Sequence, residues 1–212
     1  MGRWYPHPKD PNKHLVSVTT FLSILNKPFL VPWAAKLERA ARKKSGPYAY
    51  QDYMQEASDF GQEVHHAIER YVVEGKTSKV AKACIPALKA FVRWWSRAGI
   101  KVLDAEEVVS NLKLGYAGTL DIRFKSLKTI PGIRKKGQLY VGDWKTGKGI
   151  WPEHHLQNIA YRNCDGMVSD GGVLFHIPHD GSDIVEVPIN PKATMKEVTA
   201  ALHLWNWIEK NR

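Results

Sequence analysis

At Gly99 the hydrophobic period of the chain changes, and that change limits the possible folds more than any other feature. Before it, residues 51–74 and 79–98 carry apolar side chains three and four apart, the first run stopping at Gly75 and the second holding Trp94 and Trp95 near its end. After it, 101–111, 116–125 and 138–146 are rich in Val, Leu, Ile and Tyr and are parted by turn signals, notably PGIRKKG at 131–137. Residues 153–164 then read as a helix, 172–177 and 183–189 as strands, and 192–210 as a closing helix. Helices, three strands, helix, two strands, helix is an order that predicts an α/β chain with a mixed sheet flanked by helices.

The residues before 50 read differently. The stretch to residue 16 has three prolines and no period, which predicts a loosely attached arm. From Ser17, SVTTFLSILN sets Val18, Phe21, Leu22 and Leu25 at helical spacing with Pro28 as a stop, and a second helix is expected over 31–44 before the Gly46-Pro47 break. Residues 1–50 are thus taken as an N-terminal arm with helices and 51–212 as the main domain; no internal repeat is present. A chain of 212 residues fits one compact domain with an extension.

Apolar residues make up 43% and charged residues 25%, enough to build a core and unlike a disordered chain. No stretch approaches the roughly 20 apolar residues of a membrane span, and the polar opening MGRWYPHPKDPNKH is unlike a secretion signal, so no membrane partner is expected. Cys84 and Cys164 can form neither a disulfide framework nor a four-thiolate cluster, which points to a reducing, cytoplasmic setting.

Lys and Arg outnumber Asp and Glu by 31 to 21, a formal charge of +10. The placement is uneven: residues 1–50 hold nine basic and two acidic side chains, 125–148 hold seven basic ones and Asp143, and 51–75 between them carry six acids and one Arg. A basic rim around an acidic centre suits a polyanion held near a cation, although solvated helix faces and a Lys-rich loop would produce the same distribution.

The strongest local signal is VGDWKTGKG at 141–149. Side chains at i and i+2 of a strand share a face, so Asp143 and Lys145 point one way and Gly142 and Trp144 the other. An acid and an amine side by side at a strand end can hold a divalent cation and orient a water, but a lone DxK triplet is more often a salt bridge. Gly142, Gly147 and Lys148 also satisfy GxxxxGK, yet a phosphate loop needs a hydroxyl residue where Gly149 stands.

In GYAGTLDIRF at 115–124, Asp121 shares a face with Thr119 and Arg123, and pairing with 138–146 would bring it opposite the Asp143 region. Two carboxylates at that distance repel unless a cation lies between them. GQEVHHAIE at 61–69 sets His65 and Glu69 on one helical face, with Gly61 one turn earlier allowing close approach. HHLQNIAYR at 154–162 sets Gln157 and Tyr161 on one face, able to hydrogen-bond phosphate or stack on a base. Each of these is, alone, compatible with ordinary packing or a solvated surface. His154 and His155 lack partners at zinc spacing.

Taken in order, GxxxHxxxE, GxxD, DxKT and QxxxY resemble the PD-(D/E)XK nuclease superfamily, and within it the RecB-like exonuclease branch. The matching positions are Gly61, His65 and Glu69; Gly118 and Asp121; Asp143, Lys145 and Thr146; Gln157 and Tyr161. They span about half the chain, and SVTTFLSIL is also similar to the opening of phage exonucleases of this branch and of mitochondrial genome maintenance exonucleases. The four-cysteine iron–sulfur clamp of some relatives is missing, as is any helicase segment.

The resemblance implies a restriction-endonuclease-like αβββαβ core and hydrolysis of phosphodiester bonds from a DNA end, as in phage recombination or genome processing inside a bacterial host. Asp121, Asp143 and Lys145 would be catalytic, and Asp121, Asp143, His65 and the Trp144 carbonyl would hold Mg²⁺ or Mn²⁺. Glu69 would steady His65, Glu107 is a weaker candidate for a second metal, and Thr146 is a supporting residue. Gln157 and Tyr161 would position single- or double-stranded DNA, while the arm, Lys148, Arg134, Lys135 and Lys136 would grip phosphates; a single-strand-binding or recombination protein is a possible partner. A structure-specific endonuclease or flap nuclease of the same fold, and a nucleic-acid-binding protein without activity, are the alternatives.

Overall fold

A computed structural model describes residues 2–25, 30–41 and 49–211. Chain order is β1 (Trp4–His7), β2 (Asp10–Ser17), α1 (Val18–Leu22), α2 (Leu30–Ala41), α3 (Ala49–Glu74), α4 (Ile85–Ala98), β3 (Ile100–Asn111), β4 (Tyr116–Ser126), β5 (Leu139–Lys145), α5 (Pro152–Arg162), β6 (Gly171–His176), β7 (Val185–Pro188) and α6 (Met195–Lys210). The strands form one mixed seven-stranded sheet, in which β2–β4 and β5–β6 are parallel and the other pairs antiparallel.

The period change at Gly99 has a local cause. Helix α4 buries Ala87, Ala90, Phe91, Trp94 and Ala98, a stripe at helical spacing, and ends because Gly99 takes the left-handed conformation at φ 63° and turns the chain into β3. Gly75, at φ 69°, ends α3 in the same way. Helix α6 starts at Thr194, whose Oγ1 accepts from the Lys196 amide at 3.2 Å while Glu197 reaches back to the Thr194 amide at 2.8 Å.

Helices cover both faces of the sheet. One apolar cluster joins α1, α5 and α6 through Phe21, Leu156, Ile159, Val198 and Trp205 to Tyr116, Leu120 and Val141. The other joins α3 and α4 through Val64, Ile68, Phe91 and Trp94 to Ile122, Phe124, Trp144 and Phe175. Leu120 and Ile122, which a flat strand would present to one side, belong to different clusters, so β4 turns its face between them, at Asp121.

The expected arm is a β-hairpin. β1 pairs with β2 (Trp4 with Val16, Pro6 with His14), and β2 pairs in parallel with β4 at Val16–Tyr116 and Ser17–Ala117. Tyr5, Leu15 and Val16 are buried. The prolines that suppressed the period are compatible with an edge strand, where a missing N–H costs no ladder bond. The first helix is shorter than its sequence pattern, since only Val18–Leu22 is α-helical. The Pro28 stop, the end of the 31–44 helix and the Gly46-Pro47 break lie outside the described residues. Among the described residues, no helix is long and apolar enough to cross a membrane.

β4 carries two neighbours on one edge. β3 runs along its entire length, from Ile100–Ser126 to Asn111–Tyr116, so the opposite edge is shared by β2 at Tyr116–Ala117 and by β5 at Ile122–Lys125. Between them Gly118 to Asp121 have no strand alongside, and the sheet forks there.

Candidate active site

The fork holds the acids. One step beyond the last paired rung, Ile122–Gly142, Asp121 of β4 faces Asp143 of β5. Asp121 Oδ2 accepts the Trp144 amide at 2.6 Å, which ties the open end of β5 to β4 without a ladder. The Trp144 ring meanwhile sits among Phe91, Trp94 and Phe175, so the strand carrying both Asp143 and Lys145 is anchored by aromatic packing.

Asp143 is 1% exposed. Lys145 Nζ lies 2.6 Å from its Oδ2 as an ion pair, and neither carboxylate oxygen has a further hydrogen-bond partner. Burial raises the Asp143 pKa to about 6, against the opposing pull of Lys145 and with added repulsion from Asp121. Burial also raises Asp121, again opposed by Lys145 and by the Trp144 amide.

Lys145 donates to Gln157 Oε1 at 3.0 Å, and Gln157 Nε2 donates to Tyr161 Oη at 3.1 Å. Helix α5 is registered for this by Asn158, whose Nδ2 donates to the Val141 carbonyl at 3.1 Å. The Tyr161 ring lies over Gly118, where an added Cβ would meet Cε1 at 2.4 Å. Gln157 and Tyr161 therefore steady Lys145, and Tyr161, 3% exposed, presents little surface to a base. On the other side, an added Cβ at Gly61 would meet Thr146 Oγ1 at 3.1 Å, so α3 approaches the end of β5 closely there.

His65 Nδ1 lies 4.0 Å from Asp121 Oδ2. Burial and then the Lys145 charge lower its pKa, while Asp143 and a hydrogen bond to the Trp144 backbone oppose the shift. Glu69 pairs with His66 at 3.4 Å, on the exposed side of α3, rather than with His65.

Glu106 is the acid that the sequence pattern missed. It stands opposite Asp121 on β3, between the rungs Ala105–Ile122 and Glu107–Leu120, whereas Glu107 is exposed. Glu106 is the one described non-glycine residue with positive φ, 52°. A left-handed Glu costs on the order of 1 kcal/mol and is a conformation that concentrates at functional sites. Burial, then Asp121 and Glu69, raise its pKa to about 7. The signal that could have found it is the acid pair Glu106-Glu107 in a strand, but choosing between the two needs the β-bulge at Val102–Asp104.

The basic loop departs from expectation. Arg134 is 1% exposed and enclosed: its Nε donates to Glu186 Oε2 at 2.7 Å, and its other nitrogens bond Ser126 Oγ and the Ala98 carbonyl. It holds the loop to α4 and β7 and cannot reach a phosphate. Lys135 and Lys136 are exposed, but they sit at the far end of the β4–β5 hairpin, five residues or roughly 16 Å along β4 from Asp121. Lys148 is exposed near the site, with Nζ 5.1 Å from the Tyr53 ring centroid.

A cavity of about 560 Å³ opens over Asp121 and Glu106, with His65 and Glu69 of α3 and Arg3, Tyr5, Thr19 and Thr119 also in its lining, whereas Asp143 lies beneath it. Beyond Thr19 and Gln157 it adjoins a second, of about 770 Å³, that reaches Lys145.

Asp143 supplies what a hard divalent cation takes, buried carboxylate oxygens whose close partner is the Lys145 ammonium at 2.6 Å, beside the partly covered carboxylate of Asp121. Among the described residues no three His, Cys, Asp or Glu side chains already converge as a ligand group, so Asp121 and Asp143 are the side chains that fit such an ion.

No family model matches the chain, and no curated protein matches it. Among solved structures, the crystal structure of SSO0001 is similar at 18% identity, with 58% of each chain covered and a TM-score of 0.35, too low to argue a shared fold.

Proposed function

We propose that the chain is a divalent-cation-dependent deoxyribonuclease acting from a DNA end, with a restriction-endonuclease-like core of α3, β3, β4, β5, α5 and β6. One observation carries this reading: a buried acid, Asp143, and a partly covered one, Asp121, lie on adjacent strands at a fork in the sheet, and the lysine two residues from Asp143 is held by Gln157. A purely structural salt bridge between Asp143 and Lys145 would not need a second carboxylate, that of Asp121, beside it.

Asp121, Asp143 and the Trp144 carbonyl would hold Mg²⁺ or Mn²⁺, which when bound would polarise the scissile phosphate and activate the attacking water. Lys145 Nζ supplies a donor and a positive charge to the phosphoryl oxygens as negative charge develops. Gln157 keeps that ammonium aimed, and the Trp144 amide orients Asp121 and opposes the rise in its pKa that burial causes. His65, held toward its neutral form, lies beside Asp121 without adding a fixed positive charge. Phosphate contacts carry no base information, so cleavage would be insensitive to sequence and binding would weaken with salt.

The test is digestion of end-labelled single- and double-stranded DNA with Mg²⁺ or Mn²⁺, alongside closed circular DNA, with Lys145→Ala as control. Stepwise shortening of linear DNA that EDTA and Lys145→Ala abolish supports the proposal. Cutting of closed circles would make it an endonuclease, and cleavage indifferent to EDTA and to Asp143→Ala would overturn the site.

A further inference from the structure

The N-terminal hairpin brings a cation to the acids. Arg3, just before β1, is held by its backbone: its amide donates to Thr20 Oγ1 at 2.9 Å, and its carbonyl accepts the Ser17 amide at 3.0 Å. Its guanidinium carbon lies 4.9 Å from the Tyr5 ring centroid, and Nη2 lies 3.4 Å from Thr119 Oγ1. Tyr5 Oη and Thr119 Oγ1 are themselves 3.0 Å apart, and Ser17 Oγ and Thr19 Oγ1 are 2.7 Å apart. Among the described residues Arg3 makes no close ion pair, although its charge acts on Glu106 against the upward pull of burial, and Glu106 and Asp121 line the same cavity.

The cavity is therefore divided. One wall, from α3, β3 and β4, carries carboxylates; the other, from the hairpin, the start of α1 and Thr119, carries a guanidinium and hydroxyls. Carboxylates call for a cation, and a guanidinium stacked on an aromatic ring with hydroxyls around it calls for a planar or tetrahedral oxyanion. A ligand that satisfies both walls has anionic oxygens repeating along its length, which describes a polynucleotide backbone.

We infer that Arg3, with Tyr5, Thr19 and Thr119, forms a phosphate subsite beside the carboxylates that holds the phosphate group neighbouring the one cleaved. This rests on the nuclease reading for the identity of the ligand. It assigns to the hairpin a part in substrate positioning, and it separates Arg3 from the remaining basic residues of the N-terminal region, which lie outside this cavity among the described residues. The two possible sources of the anion, an internal phosphodiester and a terminal phosphate, share the same chemistry.

Binding is measured without turnover, by fluorescence anisotropy of a short single-stranded oligodeoxynucleotide in EDTA, for the wild-type chain, Arg3→Ala and Arg3→Lys. Loss of a charged hydrogen-bonding partner should weaken binding about tenfold or more, Arg3→Lys recovering part of it. The slope of log affinity against log salt should shrink by roughly 0.7. Oligonucleotides with one uncharged methylphosphonate at successive positions, and others lacking a 5′- or 3′-terminal phosphate, locate the anion. One such change should weaken the wild type while leaving Arg3→Ala unaffected, and its position tells an internal group from an end.

Binding by Arg3→Ala within twofold of the wild type, or an unchanged penalty at every position, would overturn the subsite. Cleavage by the wild type with Mg²⁺ or Mn²⁺ alongside either result would leave the nuclease reading standing. Wild-type protein that neither binds nor cleaves any of these oligonucleotides would remove both.

Discussion

Trp144 donates its backbone amide to Oδ2 of Asp121 across the gap where β5 leaves β4, so a residue whose side chain is core has a main chain that orients an acid. The indole is gripped by Phe91, Trp94 and Phe175, and any displacement of that packing moves Asp143 and Lys145 with it. Asp121→Ala, Asp143→Asn and Lys145→Ala should each lower Mg²⁺- or Mn²⁺-dependent cleavage by about a hundredfold to a thousandfold, the scale of losing one charge-stabilising group, while circular dichroism stays native. Single-turnover digestion of labelled DNA measures it.

Gln157 touches Lys145 and Tyr161. Replacing it with Leu removes the acceptor that holds the ammonium, and supporting partners of this kind typically matter about tenfold to a hundredfold. The loss should fall mainly on kcat with KM little changed; a KM effect alone would make Gln157 a DNA contact instead.

Stability should depend on pH in a defined direction. The Asp143 pKa rises from 3.8 to about 6 and the Glu106 pKa from 4.5 to about 7, so across this range the native state keeps protons that the unfolded chain releases. Their contribution is fully present below the unfolded values and is lost as pH climbs through the folded ones. For Asp143 alone that is about 3 kcal/mol between pH about 4 and pH about 7. Melting curves in EDTA should show Tm falling over this interval. Adding Mn²⁺ or Mg²⁺ should raise Tm at pH 8 and do little at pH 4.5, and Asp143→Asn should flatten both trends.

Gly118→Ala forces a methyl against the Tyr161 ring, 2.4 Å from Cε1. Denaturant unfolding should register a loss of about 1–3 kcal/mol. The same change in a Tyr161→Ala background should cost clearly less, because the clash needs both partners.

Arg134→Ala leaves Glu186 buried without its counter-charge. Unfolding measurements should show a loss of about 3–5 kcal/mol. DNA affinity of the protein that remains folded should be unchanged, unlike that of a phosphate-gripping residue.

Much of the fold is legible without coordinates. The helical stripe of Ala87, Phe91 and Trp94 and the strand runs after Gly99 are local patterns, and the strands after Gly99 appear within a few residues of their expected bounds, while α4 begins six residues later than its pattern. The exceptions are the hairpin and the first helix. Trp4–His7 and Asp10–Ser17 have no clean alternation because their order comes from pairing with each other and with β4, a contact about 100 residues away in sequence. The i, i+2 rule also placed Asp143 and Lys145 side by side, as their 2.6 Å ion pair requires.

Which groups meet was decided in three dimensions. A bulge in β3 and a left-handed residue put Glu106, not Glu107, beside Asp121; Glu69 turned to the exposed His66; and the closing of a loop over α4 turned Arg134 into a buried strut. Sequence alone determines period, turn positions and which side chains share a face, because those depend on neighbours a few bonds apart. Strand register, burial and the partner of each charge depend on segments far apart along the chain, and only their packing settles them.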